Sequence, residues 1–429
     1  MNEINVLLSN LKIEKKQPLV IATSGGVDSM VLLDYLYTNK YNIIAVHFNH
    51  QTRVSNKDDE TLITNYCNAR NIKHHIISLT INKKGNFQAT ARNLRYYHLK
   101  AIARKYKTKF ILTAHHLDDL AETVLIKITR GSNLYGYAGI HNVYNESGYT
   151  FVRPLLSYSK KDIITYAKDN DIKYLDDITN FETNYLRNRY RHTIIPILKQ
   201  ENPQFLNKVY SYHQQLAKSA NFIRTYSKKF ITKGIIKVDE LLKEDIVVVE
   251  TTIAMLLEKN KIEFSYEIIN KLITILKNDK PNITYNLSNN KVFVKAYNDV
   301  YISKKITIDE INEPLDYGIN ILPNMKIITL LKDASLDNKE IIKICYNKLK
   351  FPLIARHRED GDILSFKYGS KKLKNLLIDI KMPIHLRNEL LIITDSDNTI
   401  LWIPNVYINE TLGSKEKIFL KIGDHINDK

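Results

Sequence analysis

The stretch SGGVDS at residues 24–29 decides how the first third of this chain folds. It follows an apolar run at residues 19–23 that is typical of a buried strand, and it opens an amphipathic segment. Two adjacent glycines let the backbone turn tightly, and the N–H groups of such a turn bind anions at the start of a helix. The stretch therefore predicts a phosphate-binding turn, although a plain strand-to-helix turn capped by Ser29 is the simpler alternative.

On both sides of this turn, short apolar runs alternate with amphipathic stretches. The runs predict strands at 19–23, 42–48, 74–79 and 110–114. The amphipathic stretches predict helices at 29–39, 58–71, 88–106, 118–129 and 160–169. Such alternation is typical of an α/β fold in which a doubly wound parallel sheet is covered by helices.

The pattern changes after residue 200, and we expect three domains in all. A catalytic nucleotide-binding domain occupies 1–200, and a mainly helical domain occupies 201–310, with strand-like segments near 292–296 and 300–302. Residues 308–324 contain proline and asparagine and are interpreted as a linker. A small α+β domain at 325–429 completes the chain, with strands at 341–345, 390–394 and 400–403.

The charge of the chain favours a polyanionic partner. The sequence has 63 Lys and Arg against 46 Asp and Glu, which gives a formal net charge of +17. Lysine and arginine neutralise phosphates, so nucleic acid is a natural partner, although compositional bias alone could produce the same surplus. We find no apolar run of membrane-spanning length and no secretory signal pattern at the start, so we expect no membrane partner and a cytoplasmic location.

The segment at 86–109 concentrates this charge. It has no acidic residue, and its cations and tyrosines are interleaved: Arg92, Arg95, Lys100, Arg104, Lys105, Lys107 and Lys109, with Tyr96, Tyr97 and Tyr106. Basic residues mixed with aromatic residues favour RNA binding, although a solvent-exposed helix face could have the same composition.

A second motif, TAHHLDDLAET at residues 113–123, begins at the end of a predicted strand and enters a helix. Ligands of such sheets bind at this edge. Asp119 and Glu122 are three residues apart, so on a helix they share one face and could hold an ammonium group together. Helix capping by Asp118 and Asp119 is the alternative explanation. Adjacent histidines on a strand point to opposite faces, so we do not expect zinc at His115 and His116.

The two motifs resemble known families. The turn lacks the lysine of a GxxxxGK[ST] loop and resembles the SGGxDS loop of the ATP pyrophosphatases, a class with several substrates. The second motif resembles the AHHxxDxxET signature of the tRNA(Ile)-lysidine synthase family. Further segments fall in that family's order: HFNH at 47–50 with Arg53, ARNLRY at 91–96, RGS at 130–132, RPLL at 153–156, DITN at 177–180, RNRYR at 187–191, RHREDGD at 356–362 and GSKKLK at 369–374.

This resemblance implies an enzyme that adenylates a cytidine of the minor isoleucine tRNA and then attaches L-lysine. It implies roles for particular residues. The ATP-binding set would be Ser24, Gly25, Gly26, Val27, Asp28, Ser29, His47 and Phe48, with Mg²⁺ on Asp28. The catalytic set would be Asp28, Arg92 or Arg95, His115 and Asp119. Lysine would bind Asp119 and Glu122, and tRNA would bind Arg187, Arg189, Arg191, Lys371, Lys372 and Lys374. A homodimer is left open.

The sequence leaves three other functions as alternatives. A tRNA thiolase would use the same loop but usually needs paired cysteines, and this chain has only Cys67 and Cys345. An amidotransferase would need an ammonia source, and we find no nucleophilic cysteine of the glutaminase kind. A non-catalytic RNA-binding protein on the same fold would be expected to lose Asp28 or the acidic pair of the second motif.

Overall fold

The computed structural model describes residues 1–49, 56–79, 87–175, 186–305, 310–323, 326–333 and 341–424. The chain divides into two compact units, Met1–Ile223 and Arg224–Lys429. The division into three domains therefore stays a prediction. The predicted segment at 177–180 and most of the one at 47–53 lie outside the described residues.

The first unit alternates strands and helices. Its elements up to the fourth strand are α1 (Asn2–Asn10), β1 (Leu19–Thr23), α2 (Val27–Thr38), β2 (Ile43–Asn49), α3 (Asn56–Ala69), β3 (Lys73–Ser78), α4 (Phe87–Lys105) and β4 (Phe110–Leu112). The later elements are α5 (Leu117–Arg130), α6 (Leu134–Tyr137), β5 (Val143–Glu146), β6 (Tyr149–Val152), α7 (Lys160–Asp169), α8 (Leu186–Arg189), a π-helix (Tyr190–Ile194), α9 (Ile195–Glu201) and α10 (Phe205–Ser227), which contains the unit boundary.

Six strands form one sheet in the order β3-β2-β1-β4-β6-β5. Neighbours from β3 to β6 pair in parallel, and β5 pairs antiparallel with β6. The chain moves outward from β1 through β2 to β3 and then returns to the other side of β1 as β4. Strand order therefore reverses between β1 and β4, and a crevice forms outside their carboxyl ends in such sheets.

Helices cover both faces of this sheet. One buried cluster joins Leu19 and Ile21 of β1 to α2, α3 and α7, and a second joins Val20 of the same strand to Leu99 and Ala103 of α4. Side chains of a strand alternate between its two faces, so the continuous apolar character of β1 reflects burial on both sides. The predicted doubly wound α/β fold is confirmed.

Most predicted elements of this unit are present within one or two residues. Several short elements were not predicted, among them α1, β5, α6, α8 and α9. Helix α1 buries only Ile4 and Leu8, which is a weak periodic signal in a polar segment. Strand β5 forms a hairpin with β6 through Ser147 and Gly148. The second half of β5 is polar and exposed, a pattern that is typical of a loop.

The second unit begins with helices and continues with strands. Its helical part contains β7 (Ile236–Lys237), α11 (Val238–Leu241), α12 (Ile246–Lys259), α13 (Tyr266–Lys277), β8 (Asn282–Leu287), β9 (Lys291–Ala296) and β10 (Asp299–Lys304). The rest contains β11 (Asn312–Leu315), β12 (Gly318–Ile321), β13 (Lys326–Leu331), β14 (Ile342–Tyr346), β15 (Leu353–His357), β16 (Ile363–Phe366), β17 (Gly369–Lys372), α14 (Leu373–Asp379), α15 (Ile384–Arg387), β18 (Leu391–Thr394), β19 (Ile400–Ile403), β20 (Tyr407–Ile408) and β21 (Glu416–Asp424).

The interpretation of residues 308–324 as a linker is wrong. Strand β11 pairs antiparallel with β15, and β12 pairs antiparallel with β13, so both belong to sheets of the C-terminal part. Pro314 and Asn320 suggested a linker, but β11 and β12 are edge strands, where proline is tolerated because one row of N–H groups needs no ladder partner. The helical part likewise carries a four-stranded sheet, β7-β10-β9-β8, beside its helices.

Gly139 allows the segment after α6 to approach α5 closely. It has a φ of +80°, and a Cβ built there would lie 2.8 Å from Val124 Cγ2 and 3.0 Å from Leu120 Cδ1. Gly131 has the same φ of +80° but nothing within 4 Å of such a Cβ. An alanine would therefore suffer the same backbone strain at the two positions, but only at residue 139 would its Cβ also overpack against α5.

We expect Gly139→Ala to lower the free energy of unfolding by about 1–3 kcal/mol more than Gly131→Ala does. Urea unfolding followed by circular dichroism measures both losses. Equal losses in the two variants would show that the close approach to α5 costs nothing.

Candidate active site

The SGGVDS turn connects β1 to α2 as predicted, and Ser29 fixes its shape. The Ser29 hydroxyl accepts a hydrogen bond from Ser24 N at 3.0 Å and donates one to Gly26 O at 3.0 Å. Gly25 has a φ of +87°, and a Cβ there would lie 2.8 Å from Asp59 Oδ1, so only glycine fits. Helix α2 begins at Val27, two residues earlier than predicted, which puts its N-terminal N–H groups next to the turn.

His116 connects this turn to the second motif. Its Nε2 lies 3.9 Å from Asp28 Oδ2 and 3.6 Å from Asp119 Oδ2, and its Nδ1 lies 3.7 Å from Asp118 Oδ2. The backbone N–H of His116 also donates to Asp119 Oδ2 at 3.1 Å, which caps α5. Because β1 and β4 are neighbours in the sheet, the residues that follow them meet in the crevice where strand order reverses.

The two adjacent histidines differ in charge. Burial by itself would lower the pKa of His116, but Asp118, Asp119 and Asp28 outweigh burial and raise the pKa above its ordinary value. Burial and the nearby Arg153 guanidinium lower the pKa of His115 to about 3. The His115 ring is therefore neutral at physiological pH, whereas the three aspartates shift the His116 equilibrium toward the imidazolium form. Sequence reasoning chose His115 and missed His116.

Two arginines hold the predicted lysine-binding pair in this structure. Arg187 donates from Nε to Glu122 Oε2 at 2.5 Å and from Nη2 to Asp119 Oδ1 at 3.0 Å. Arg191 donates from Nε to Glu122 Oε1 at 2.6 Å and from Nη2 to Asp119 Oδ1 at 3.2 Å. Glu122 has no exposed surface, so its charge requires these partners. Burial would raise the pKa of Asp119, but His116 and Arg187 lower it below its ordinary value.

Two lysines complete the ion-pair network, and neither was predicted. Lys160 Nζ, at the start of α7, donates to both carboxylate oxygens of Asp28 at 2.7 and 2.9 Å. Lys199 Nζ, in α9, donates to Asp118 Oδ1 at 2.7 Å. Both lysines come from segments without a recognisable motif, so only the folded chain shows that they reach the site.

A cavity of about 600 Å³ opens beside this network. Arg92, His115, Arg153 and Arg187 are among its lining residues, together with several aromatic side chains. Arg95, one helical turn after Arg92, is not among them. The structure therefore brings Arg92 and His115 together, as predicted, and separates Arg95 from them.

The other predicted residues lie at the edges of this region or in the second unit. His47 is buried at the end of β2, where it pairs in register with Thr23, and Phe48 packs toward α4. Arg189 is exposed on α8. In the second unit, Lys371 pairs with Asp379. Lys372, at the end of β17, and Lys374, in the first turn of α14, are exposed.

The fold and this site define an ATP-binding protein of the PP-loop class. Residues 1–198 match the sequence profile of a family described as a PP-loop domain, and residues 355–418 match the TilS substrate C-terminal domain. A tRNA(Ile)-lysidine synthase of Aster yellows witches'-broom phytoplasma (strain AYWB) is 37% identical over 436 residues, which cover 96% of each chain. The chain belongs to the tRNA(Ile)-lysidine synthase family.

More distant relatives are similar over nearly the same length. A tRNA(Ile)-lysidine synthase of Bacillus subtilis (strain 168) is 28% identical and covers 96% of this chain and 95% of its own. A bifunctional protein TilS/HprT of Listeria monocytogenes serovar 1/2a is 29% identical over 95% of this chain and 68% of its own. The resemblance inferred from short motifs thus extends through both units.

The raised pKa of His116 predicts a pH-dependent contribution to stability. Protonated His116 stabilises the fold fully below its unfolded pKa of about 6.5, and this contribution is lost as the pH rises through the higher folded value. His116→Asn should therefore cost more unfolding free energy at about pH 6 than at about pH 9. Urea unfolding at the two pH values measures the difference.

The control is His74→Asn, a change at a partly buried histidine of β3. It removes an imidazole that makes no ion pair with a carboxylate among the described residues, so it measures the cost of losing a histidine ring by itself. A pH-independent cost for His116→Asn would contradict a raised pKa of His116 among the three aspartates.

Proposed function

We propose that this chain is a ligase that joins free L-lysine to C2 of the wobble cytidine in the CAU-anticodon isoleucine tRNA. ATP is consumed, AMP and pyrophosphate are released, and codon reading changes from AUG to AUA. Membership of the family supports this function. The main structural support is that the SGGVDS turn and the second motif lie side by side at one edge of the sheet. His116 of the second motif lies within 4 Å of Asp28 in the turn and of Asp119 in its own motif.

The turn at residues 24–29 binds the phosphates of ATP. Gly25 and Gly26 present backbone N–H groups at the N-terminus of α2, where the helix dipole favours an anion. The Ser24 side chain is exposed at this turn and adds a hydroxyl donor. The adenine lies at the edge of the neighbouring strand, near His47 and Phe48, whose buried side chains shape that edge.

Asp28 is suited to hold Mg²⁺ on the phosphates. The ammonium group of Lys160 contacts both of its oxygens, so Mg²⁺ would replace Lys160 on at least one of them. Proteins usually hold magnesium with one or two carboxylates, substrate phosphates and water, and a single aspartate meets this need. When bound, the ion would neutralise charge on the departing pyrophosphate.

In the first step the C2 carbonyl oxygen of cytidine attacks the α-phosphate, and pyrophosphate leaves. Negative charge on the phosphate increases, and preorganised cationic donors stabilise it. Arg92 has the better position of the two predicted arginines, because it lines the cavity together with His115. Neutral His115 contributes a hydrogen bond to the reacting phosphate, and its low pKa keeps the ring from taking up a proton.

In the second step the lysine ε-ammonium group loses a proton to solvent, the resulting amine attacks C2, and AMP leaves. Asp119 and Glu122 bind lysine before this attack. The four hydrogen bonds that these carboxylates accept from Arg187 and Arg191 support this assignment, because a lysine ammonium group would make contacts of the same kind. The lowered pKa of Asp119 keeps it ionised, so it binds an ammonium group well and is a weak proton acceptor.

The tRNA contacts are divided between the two units. Arg187 and Arg191 were predicted to bind tRNA, but their guanidinium groups contact Asp119 and Glu122 in this structure. Exposed Lys372 and Lys374 are better placed for phosphates. The enzyme acts in the cytoplasm, where tRNA, ATP and lysine are present, and it works as a monomer or a homodimer.

Cysteine chemistry offers no support for the thiolase alternative. Cys67 is fully buried, and burial raises its pKa to about 11, so its thiol stays protonated at neutral pH. Cys345 belongs to the other unit. Sulfur transfer needs a reactive thiolate, and lysine transfer needs none.

The decisive experiment is incorporation of radiolabelled lysine into an unmodified transcript of the minor isoleucine tRNA, with ATP and Mg²⁺. We expect label in this transcript, with release of AMP, and none in an elongator methionine tRNA transcript. ATP cleavage without labelling of the isoleucine transcript would overturn lysidine synthesis.

Asp119→Asn should raise the KM for lysine about tenfold or more, because a charge-assisted contact of about 1.5–3 kcal/mol is lost. The matched control is Asp162→Asn. Asp162 caps α7 through the N–H of Ser159, as Asp119 caps α5, but it has no arginine partner among the described residues. If both variants keep the wild-type KM for lysine, Asp119 does not bind this substrate.

Two exposed lysines should contribute to the salt dependence of tRNA binding. The slope of the logarithm of affinity against the logarithm of salt concentration should fall by about 2 in the Lys372→Ala/Lys374→Ala variant. Filter binding over a range of salt concentrations measures it. The charge-matched variant Lys277→Ala/Lys280→Ala removes two exposed lysines near the end of α13 and should keep the slope. Equal slopes in all three proteins would rule out phosphate contacts at Lys372 and Lys374.

A further inference from the structure

The phosphate-binding turn has no cation of its own, and Lys160 brings one from another part of the chain. Residues 24–29 contain no lysine or arginine, whereas a GxxxxGK[ST] loop carries a lysine that reaches the β- and γ-phosphates. Lys160 is the first residue of α7, and its Nζ lies 2.7 and 2.9 Å from the two carboxylate oxygens of Asp28. No other lysine or arginine of the described residues forms an ion pair with Asp28. The folded chain thus places one ammonium group at the turn.

The backbone of Lys160 is fixed, and its side chain has room to rotate. Its N–H donates to Asp118 Oδ2 at 2.8 Å, and Ser159 before it caps α7 together with Asp162. Helix α7 also packs in the buried cluster that contains α2. The Lys160 side chain is 40% exposed, so it is not enclosed beside Asp28. Its flexible four-carbon chain can therefore swing the ammonium group from Asp28 toward a ligand in the turn.

ATP binding changes the partner of this ammonium group. With Mg²⁺ on Asp28, Lys160 no longer has both carboxylate oxygens to itself. A triphosphate brings several negative charges to the same turn, and the Asp28 carboxylate repels them. Charge-assisted hydrogen bonds between an ammonium group and a phosphate are stronger than neutral ones, and the phosphates are the nearest anions left for Lys160. The exchange keeps Lys160 paired in the free and in the bound state.

We propose that Lys160 is a catalytic residue that binds the departing pyrophosphate during adenylation. The C2 oxygen of cytidine forms a bond to the α-phosphorus, the bond from this phosphorus to the bridging oxygen of the β-phosphate breaks, and its electron pair leaves with pyrophosphate. Lys160 donates a hydrogen bond to the departing group, stabilises its charge and keeps its own proton. The inference rests on the proposed function for the identity of the reaction, whereas the phosphate contact itself requires only ATP.

The test is nucleotide binding, measured by isothermal titration calorimetry with Mg²⁺ and without tRNA or lysine. Lys160→Met should weaken ATP binding about tenfold and leave AMP binding unchanged, because only ATP carries the β- and γ-phosphates. Lys160→Arg keeps a cation and should bind ATP more tightly than Lys160→Met does. Equal weakening of ATP and AMP binding by Lys160→Met would overturn the inference.

A second background separates a phosphate contact from a role through Asp28. Asp28→Asn removes the carboxylate charge that Lys160 neutralises in the free protein. A lysine that binds phosphate directly is still needed in this background, so Lys160→Met should again weaken ATP binding about tenfold. If the effect of Lys160→Met disappears in Asp28→Asn, the lysine only holds Asp28, and the inference is wrong.

The matched control is Lys161→Met, which removes the next lysine of α7. Lys161 is exposed and forms no ion pair among the described residues, so this variant should bind ATP and AMP like wild type. Thermal unfolding of every variant checks that the fold is intact.

The outcome is independent of the test for lysine transfer. Lysine incorporation by wild type, together with unchanged ATP binding in Lys160→Met, would overturn only the role of Lys160. A loss of ATP binding alone in Lys160→Met, without lysine incorporation by wild type, would support the phosphate contact and overturn the proposed reaction.

Discussion

A carboxylate without exposed surface must be neutralised where it lies, and Glu122 imposes this constraint on the site. Its side chain sits within α5, and Arg187 and Arg191 contact it from the helical segment that follows residue 185. Breaking such a buried pair from one side is costly, on the order of 3–5 kcal/mol. The segment around α8 and the π-helix is therefore held against α5, and Asp119 is drawn into the same set of contacts.

The parallel sheet explains why this cluster lies beside the phosphate-binding turn. Strands β1 and β4 are adjacent, and the segments that follow them carry Asp28 and His116. Position alone then gives the two imidazoles different pKa values. The aspartates raise the pKa of His116, whereas burial and Arg153 lower the pKa of His115, so identical side chains at residues 115 and 116 differ in their affinity for a proton.

Much of the fold was predictable because its signals are local. The apolar run of β1, the glycines after it and the periodicity of α2 and α5 each depend on near neighbours in the sequence. Edge strands were harder: β5, β11 and β12 are partly polar, and they become strands only because a partner strand lies beside them. Residues 308–324 therefore resembled a linker until their hydrogen-bond partners were visible.

For the site, the sequence by itself determined the phosphate turn, the acidic face of α5 and the family, because each is a short pattern with fixed spacing. Only the tertiary structure decided which cations meet those acids. Lys160 lies 132 residues from Asp28, and Arg187 lies 65 residues from Glu122. Contacts at such separations depend on how the sheet and helices pack, and charge alone does not select one lysine or arginine among 63.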